Sequence, residues 1–173
     1  MAENMMKPQI YVVSLADYNS GRHHGVWIDA DQDADDIRVE IKVMLDRSPT
    51  GDAEDYAIHD CEDFGDVKLS EFTNIGAVAQ LAKLITEHPV ELVAHFHGEG
   101  YAVDDIGDEI ENRSRGVWES LADLALEDIG GDLPERFQDH VWTLAKAIAG
   151  DWEEAGAYTT IRTPDGVAVL SND

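Results

Sequence analysis

The sequence predicts an α+β protein assembled from small parts. Three observations carry this reading. Runs rich in β-branched and aromatic residues open and close the chain, apolar residues at helical spacing fill the stretches between them, and no fixed-period repeat recurs. The chain divides into residues 1–66, a short sheet with one helix, residues 67–111, a helical middle, and residues 112–173, helices followed by a hairpin.

QIYVVS (Gln9 to Ser14) reads as the first strand. ADYNSGRHHG (Ala16 to Gly25), rich in Asn, Ser and Gly, is predicted to be a loop, and VWIDA (Val26 to Ala30) a second strand. Ile37, Ile41, Met44 and Leu45 recur at i, i+4, i+7 and i+8, which marks an amphipathic helix ending near Ser48-Pro49. EDYAIHD (Glu54 to Asp60) is the third strand. In the middle, Thr73 or Asn74 caps a helix that turns Ile75, Val78, Leu81 or Ala82, and Ile85 inward; Pro89 then starts another helix and Gly98 stops it. The last part is expected to hold a helix from about Val117 to Ile129, stopped by Gly130-Gly131. Another should run from Pro134 to Ala149, with Phe137, Val141, Leu144 and Ile148 facing inward and Gly150 as its stop. AYTTIRT (Ala157 to Thr163), a Pro-Asp-Gly turn and VAVL (Val167 to Leu170) form a hairpin.

Charge is the outlying property. The 173 residues hold 12 Lys plus Arg against 37 Asp plus Glu, a formal charge of −25, although the 43% apolar content is ordinary for a globular chain. The three parts hold 5 basic against 16 acidic residues, 2 against 9, and 5 against 12, so the acidity is spread throughout. Between Lys83 and Arg113 there is no Lys or Arg, while Glu87, Glu91, Glu99, Asp104, Asp105, Asp108, Glu109 and Glu111 all fall there. Self-repulsion of this size opposes folding, so it implies a use for the charge. No apolar run approaches the ~20 residues of a membrane span, and MAENMMKPQ lacks signal-peptide character, so a cytoplasmic protein with no membrane partner is expected. Cys61 is the sole cysteine, which excludes an internal disulfide and a thiolate zinc cluster.

Several patterns invite a site. DADQDADDIRVE places Asp29, Asp31, Asp33 and Glu40 at positions 1, 3, 5 and 12 of a calcium loop, but Ala34 stands at the glycine position and Asp36 at the apolar one. The alternative is that Asp33 or Asp35 caps the following helix, with the acids at its positive dipole end. His95 and His97 in AHFHGEG suggest a metal pair, yet on a helix residues i and i+2 point about 200° apart; core or surface histidines are the plain alternative. His59, Asp60, Cys61 and Glu62 include the residue types of a Cys-His nucleophile, but chain neighbours seldom take up that geometry. There is no phosphate-binding glycine loop, no nucleophile elbow and no H-E-x-x-H, and neither catalysis nor a cofactor is expected.

Trp27, Trp118, Trp142 and Trp152 are expected to be core residues rather than base-stacking ones, because a chain at −25 gains nothing from phosphate neutralisation. A nucleic acid is therefore not the expected partner. Inverted, the same physics is informative: carboxylates at regular spacing resemble the phosphates of duplex DNA, about one charge per 1.7 Å of axis. An acidic protein adapted to high salt would have the same composition.

At IYVVSLADYNSGRHHGVWIDADQDADDI (Ile10 to Ile37) and EDYAIHDCEDFG (Glu54 to Gly65), with its E-x-F-G turn, the sequence resembles the ArdA family of antirestriction proteins carried on mobile elements. LADLALEDIGG (Leu121 to Gly131) is similar to that family's acidic antirestriction motif. Departures are Arg113 and Arg115, where the family pattern is acidic and aromatic, and Cys61, where a large aromatic is common. The resemblance implies an elongated chain of three small domains and an end-to-end homodimer imitating bent B-form DNA. It further implies a stoichiometric partner: the DNA-binding groove in the methyltransferase core of a Type I restriction-modification enzyme. The mimic surface it implies comprises Asp29, Asp31, Asp33, Asp35, Asp36, Asp60, Glu62 and Asp63, with Glu127 and Asp128 from the motif-like segment; Asp104, Asp105, Asp108 and Glu109 of the cation-free window are added to it on their charge.

Overall fold

Residues Gln9–Ser14 form β1, and its alternation buries Ile10 and Val12 on one face of a sheet. The computed structural model describes residues 7–130 and 133–172. These fold as two compact units, Met1–Ile106 and Gly107–Asp173. Both are mixed α and β, and the α+β class expected from the sequence is the class observed.

In the first unit β1 is the central strand, with β2 (Gly25–Asp29) and β3 (Tyr56–Glu62) antiparallel on either side. The predicted loop after β1 instead begins with a short helix, α1 (Leu15–Asn19), started by Ser14, whose hydroxyl accepts from the Asp17 N–H. The next helix, α2 (Ala34–Asp46), keeps the predicted stripe: Ile37, Ile41 and Met44 are buried, and the helix packs against β1 and β2. Burying a side chain of this kind contributes about 1.5–3 kcal/mol. Asn74 then caps α3 (Ile75–Glu87), accepting from the Gly76 N–H at 2.7 Å, and Ile75, Val78, Leu81, Ala82 and Ile85 are all buried as the spacing requires. Pro89 precedes α4 (Val90–Gly98), which buries Leu92, Val93 and Phe96. The start of α5 (Val103–Arg113) lies in this unit and its remainder in the second.

The second unit adds β4 (Ser114–Trp118), α6 (Leu121–Gly130), a 3-10 turn at Glu135–His140, α7 (Val141–Ala155), β5 (Tyr158–Thr163) and β6 (Gly166–Ser171). The terminal hairpin forms as expected, and β6 becomes the central strand of a β4-β6-β5 sheet. Its core joins Leu121, Leu124 and Ala125 of α6 to Ala145 and Ala149 of α7 and Val169 of β6, with Trp118, Ile148, Trp152 and Tyr158 packed against it.

Four sequence expectations are corrected here. Residues from Val117 do not start the helix, because Ser114 to Trp118 pair with β6 and α6 begins only at Leu121; it ends at Gly130, and Gly131 lies outside the described residues. Gly150 does not stop α7, which runs to Gly156, where φ of 65° gives the left-handed cap. The inward face of α7 is Ala145 and Ala149 rather than Phe137 and Leu144, which are 40% and 36% exposed. The small residues let α7 approach α6 closely while Trp118 and Trp152 supply volume from the side. Nor are all four tryptophans core residues: Trp27 and Trp142 are 39% and 41% exposed. No helix among the described residues is long and apolar enough to cross a membrane.

Candidate functional site

The exposed face of the first sheet is set by strand register. Gln9 pairs with Asp29 on one side and Glu62 on the other, and Tyr11 likewise pairs with Trp27 and Asp60. Directly paired side chains share a face, so Asp29, Asp60 and Glu62 stand together, with Asp29 and Glu62 about 9.6 Å apart across three strands. The opposite face buries Ile10, Val12, Ile28 and Ile58. No cation lies across from these acids on β1, only Gln9, which donates to Asp29, and Tyr11. Asp60 and Glu62 are two residues apart on one strand, where like charges repel by about 0.5 kcal/mol in water, and strands disfavour acids in any case. Asp63 follows with φ of 59°, accepting from the Lys7 N–H at 3.2 Å, and Phe64 is buried. Gly65 has φ of 55°, and a Cβ there would lie 2.6 Å from Val90 Cγ2. This turn gives the E-x-F-G stretch its physical reason: one acid aimed outward, one aromatic anchor and a glycine where only a glycine fits.

The second group surrounds the start of α2. Asp33 is the N-cap residue but makes no side-chain cap hydrogen bond, and Asp35 and Asp36 occupy the first turn. Asp35 pairs with Arg38 at 2.7 Å, an exposed ion pair of little stabilising value. The calcium reading fails on the backbone. Helix α2 begins at Ala34, so Asp35 to Glu40 are helical rather than a coordinating loop, and the Glu40 carboxylate accepts from Gln32 Nε2 at 2.7 Å. Among the described residues no three His, Cys, Asp or Glu side chains are grouped to hold a metal ion.

Asp104, Asp105, Asp108 and Glu109 belong to α5, which buries Ile106 and Ile110. Asp104 accepts from Gln80 Nε2, and Glu109 pairs with Arg113 at 3.6 Å. Asp31, Asp33 and Asp104 also line one open groove of about 1070 Å³, with Gln80, Lys83 and Glu87. Glu127 and Asp128 are exposed near the end of α6, whose inner side buries Leu121, Leu124 and Ala125. Acids at the starts of α2 and α5 favour the helix dipole, but those at the end of α6 oppose it. Of the fourteen predicted residues thirteen are exposed and Glu109 is half-buried. Among the described residues, Asp35 and Glu109 are the two of these that form ion pairs.

Sequence reasoning missed Asp17. Placed in a loop by composition, it is fully buried at the centre of a polar node, accepting from the hydroxyls of Ser48 and Thr50 while its N–H donates to Ser14. Burial raises its pKa, but the hydrogen bonds from Ser48, Thr50 and Ser14, with His24 nearby, outweigh burial and lower it from 3.8 to about 2. The node pins α1 to the segment after α2, and a short polar residue in an Asn- and Gly-rich stretch gave no signal of burial. The other reactive types are dispersed. Burial and Asp60 raise the Cys61 thiol, which favours the unreactive protonated form; His59 stacks edge-on against Tyr18 at 4.6 Å; and His95 and His97 lie two residues apart on α4, on different sides of the helix.

Compared with known proteins, residues 10–164 are similar to the family described as antirestriction protein (ArdA). No curated protein matches the chain.

Proposed function

The chain belongs to the ArdA family of antirestriction proteins, and from that premise we propose that it acts by imitating DNA, occupying the DNA-binding groove in the methyltransferase core of a Type I restriction-modification enzyme. The observation that carries the mimicry is the placement of acid where no ion pair or helix dipole rewards it: Asp60 and Glu62 on an exposed strand with no basic residue opposite, and Glu127 and Asp128 at the unfavourable end of α6. Such carboxylates supply the partner's Lys and Arg residues with the negative potential they meet on phosphates. The inhibitor is stoichiometric, with no bond made or broken and no cofactor required.

The proposal includes a homodimer. Phe137 and Trp142 in the second unit are exposed apolar side chains that a second copy would cover. The test of the function is cleavage of unmodified target DNA by a purified Type I enzyme at low salt. Cleavage falls to background near one inhibitor per DNA-binding groove. Cleavage unchanged in excess inhibitor would refute the mechanism.

A further inference from the structure

The acidic sheet face contains a large aromatic that phosphate imitation does not call for. Trp27 sits at the centre of β2 with 39% of its surface exposed, and its ring lies 5.3 Å from Tyr11 at 43°. Tyr11 is itself packed against backbone. A Cβ at Gly25 would lie 2.9 Å from the Tyr11 ring carbon bearing the hydroxyl and 2.6 Å from the Val12 carbonyl oxygen, so the phenol lies directly on the Gly25 backbone. The indole is thus supported from one side by a ring that rests on the backbone, while part of it stays open to solvent. On the same face Asp29 is two residues along β2, and Asp60 lies beyond Tyr11 on β3.

We propose that Trp27, seated on Tyr11, is the stacking anchor of this face and takes an arginine side chain from the partner's DNA groove. The proposal rests on the reading of the chain as a DNA mimic. A guanidinium is planar and weakly hydrated, so it stacks on an indole while its edge reaches a carboxylate. Over Trp27 that carboxylate is Asp29, two residues along the strand on the same face. Lysine, a compact and strongly hydrated charge, gains less from the same arrangement. Tryptophans surrounded by polar residues are also the side chains on which binding energy concentrates at interfaces. The face therefore selects its partner by shape and stacking, where a uniformly acidic surface would bind any basic groove.

Displacement of a labelled target duplex from the Type I enzyme, titrated at several salt concentrations, separates stacking from charge. Trp27→Leu, which keeps apolar cover over the sheet but has no π face, raises the half-displacing concentration on the order of tenfold at every salt concentration. The slope against log salt is unchanged. Trp27→Phe recovers most of the loss, and Asp60→Asn with Glu62→Gln makes the slope shallower. Melting curves of each variant establish that it is folded. A folded Trp27→Leu protein within twofold of wild type, or one whose deficit disappears at high salt, would overturn the anchor while leaving the mimic intact. Wild-type protein that displaces no duplex at low salt would overturn both.

Discussion

Asp17 shows how a single residue can organise a segment whose composition reads as loop. Its folded pKa of about 2 lies below the ordinary 3.8, so between those values the unfolded chain binds more protons than the folded one. Its contribution to stability is present above about pH 4 and is lost as pH falls toward 2. Asp17→Asn is predicted to lower the melting temperature at neutral pH and to flatten its decline between pH 4 and 2. Melting followed by circular dichroism across that range checks this, and an equally steep decline in the variant would assign the acid-labile contribution elsewhere. Asp60 and Glu62 were named from the family resemblance, and it is their pairing with Tyr11 and Gln9 that puts them on the exposed face, whereas the burial of Asp17 depends on Ser48 and Thr50, more than thirty residues away.

At the level of elements, the sequence was readable wherever large aliphatic side chains marked the inner face. The stripe of Ile37, Ile41 and Met44 and that of Ile75, Val78, Leu81 and Ile85 are buried as their spacing requires. Helix α7 was misread because the residues that pack inward are alanines, and size misdirects attention to Phe137 and Leu144. Strand β4 was missed for a different reason: SRGVW lacks alternation, and its pairing with β6 is a tertiary preference that no local pattern encodes. Helix α6 offers a test of function against stability. Replacing Glu127 and Asp128 by Gln and Asn removes acids from the negative dipole end, which should raise stability by about 0.3–1 kcal/mol each. The same double variant should inhibit less well. Denaturant unfolding and the cleavage assay together check both halves; a variant that is more stable and equally inhibitory would remove these two residues from the interface. The exposed side of the 3-10 turn and α7 belongs at this scale too. Phe137→Asp with Trp142→Asp is predicted to give a monomer by sedimentation, against a dimer for wild type.

For the whole molecule the decisive quantity is the charge of −25. Salt screens self-repulsion and also screens attraction to a basic partner. Added salt should therefore raise the melting temperature while weakening inhibition, opposite responses of one charge distribution. An acidic protein merely adapted to brine would show the first response and not the second. The central claim is that this charge takes the place of DNA. Its most direct test is a competition in which the methyltransferase core of a Type I enzyme, pre-bound to a labelled target duplex, is titrated with the protein at low salt and again at higher salt. The account predicts full release of the duplex at near-stoichiometric protein, with no complex containing both, and a steep loss of competition as salt rises. A ternary complex that retains the duplex, or release insensitive to salt, would contradict it.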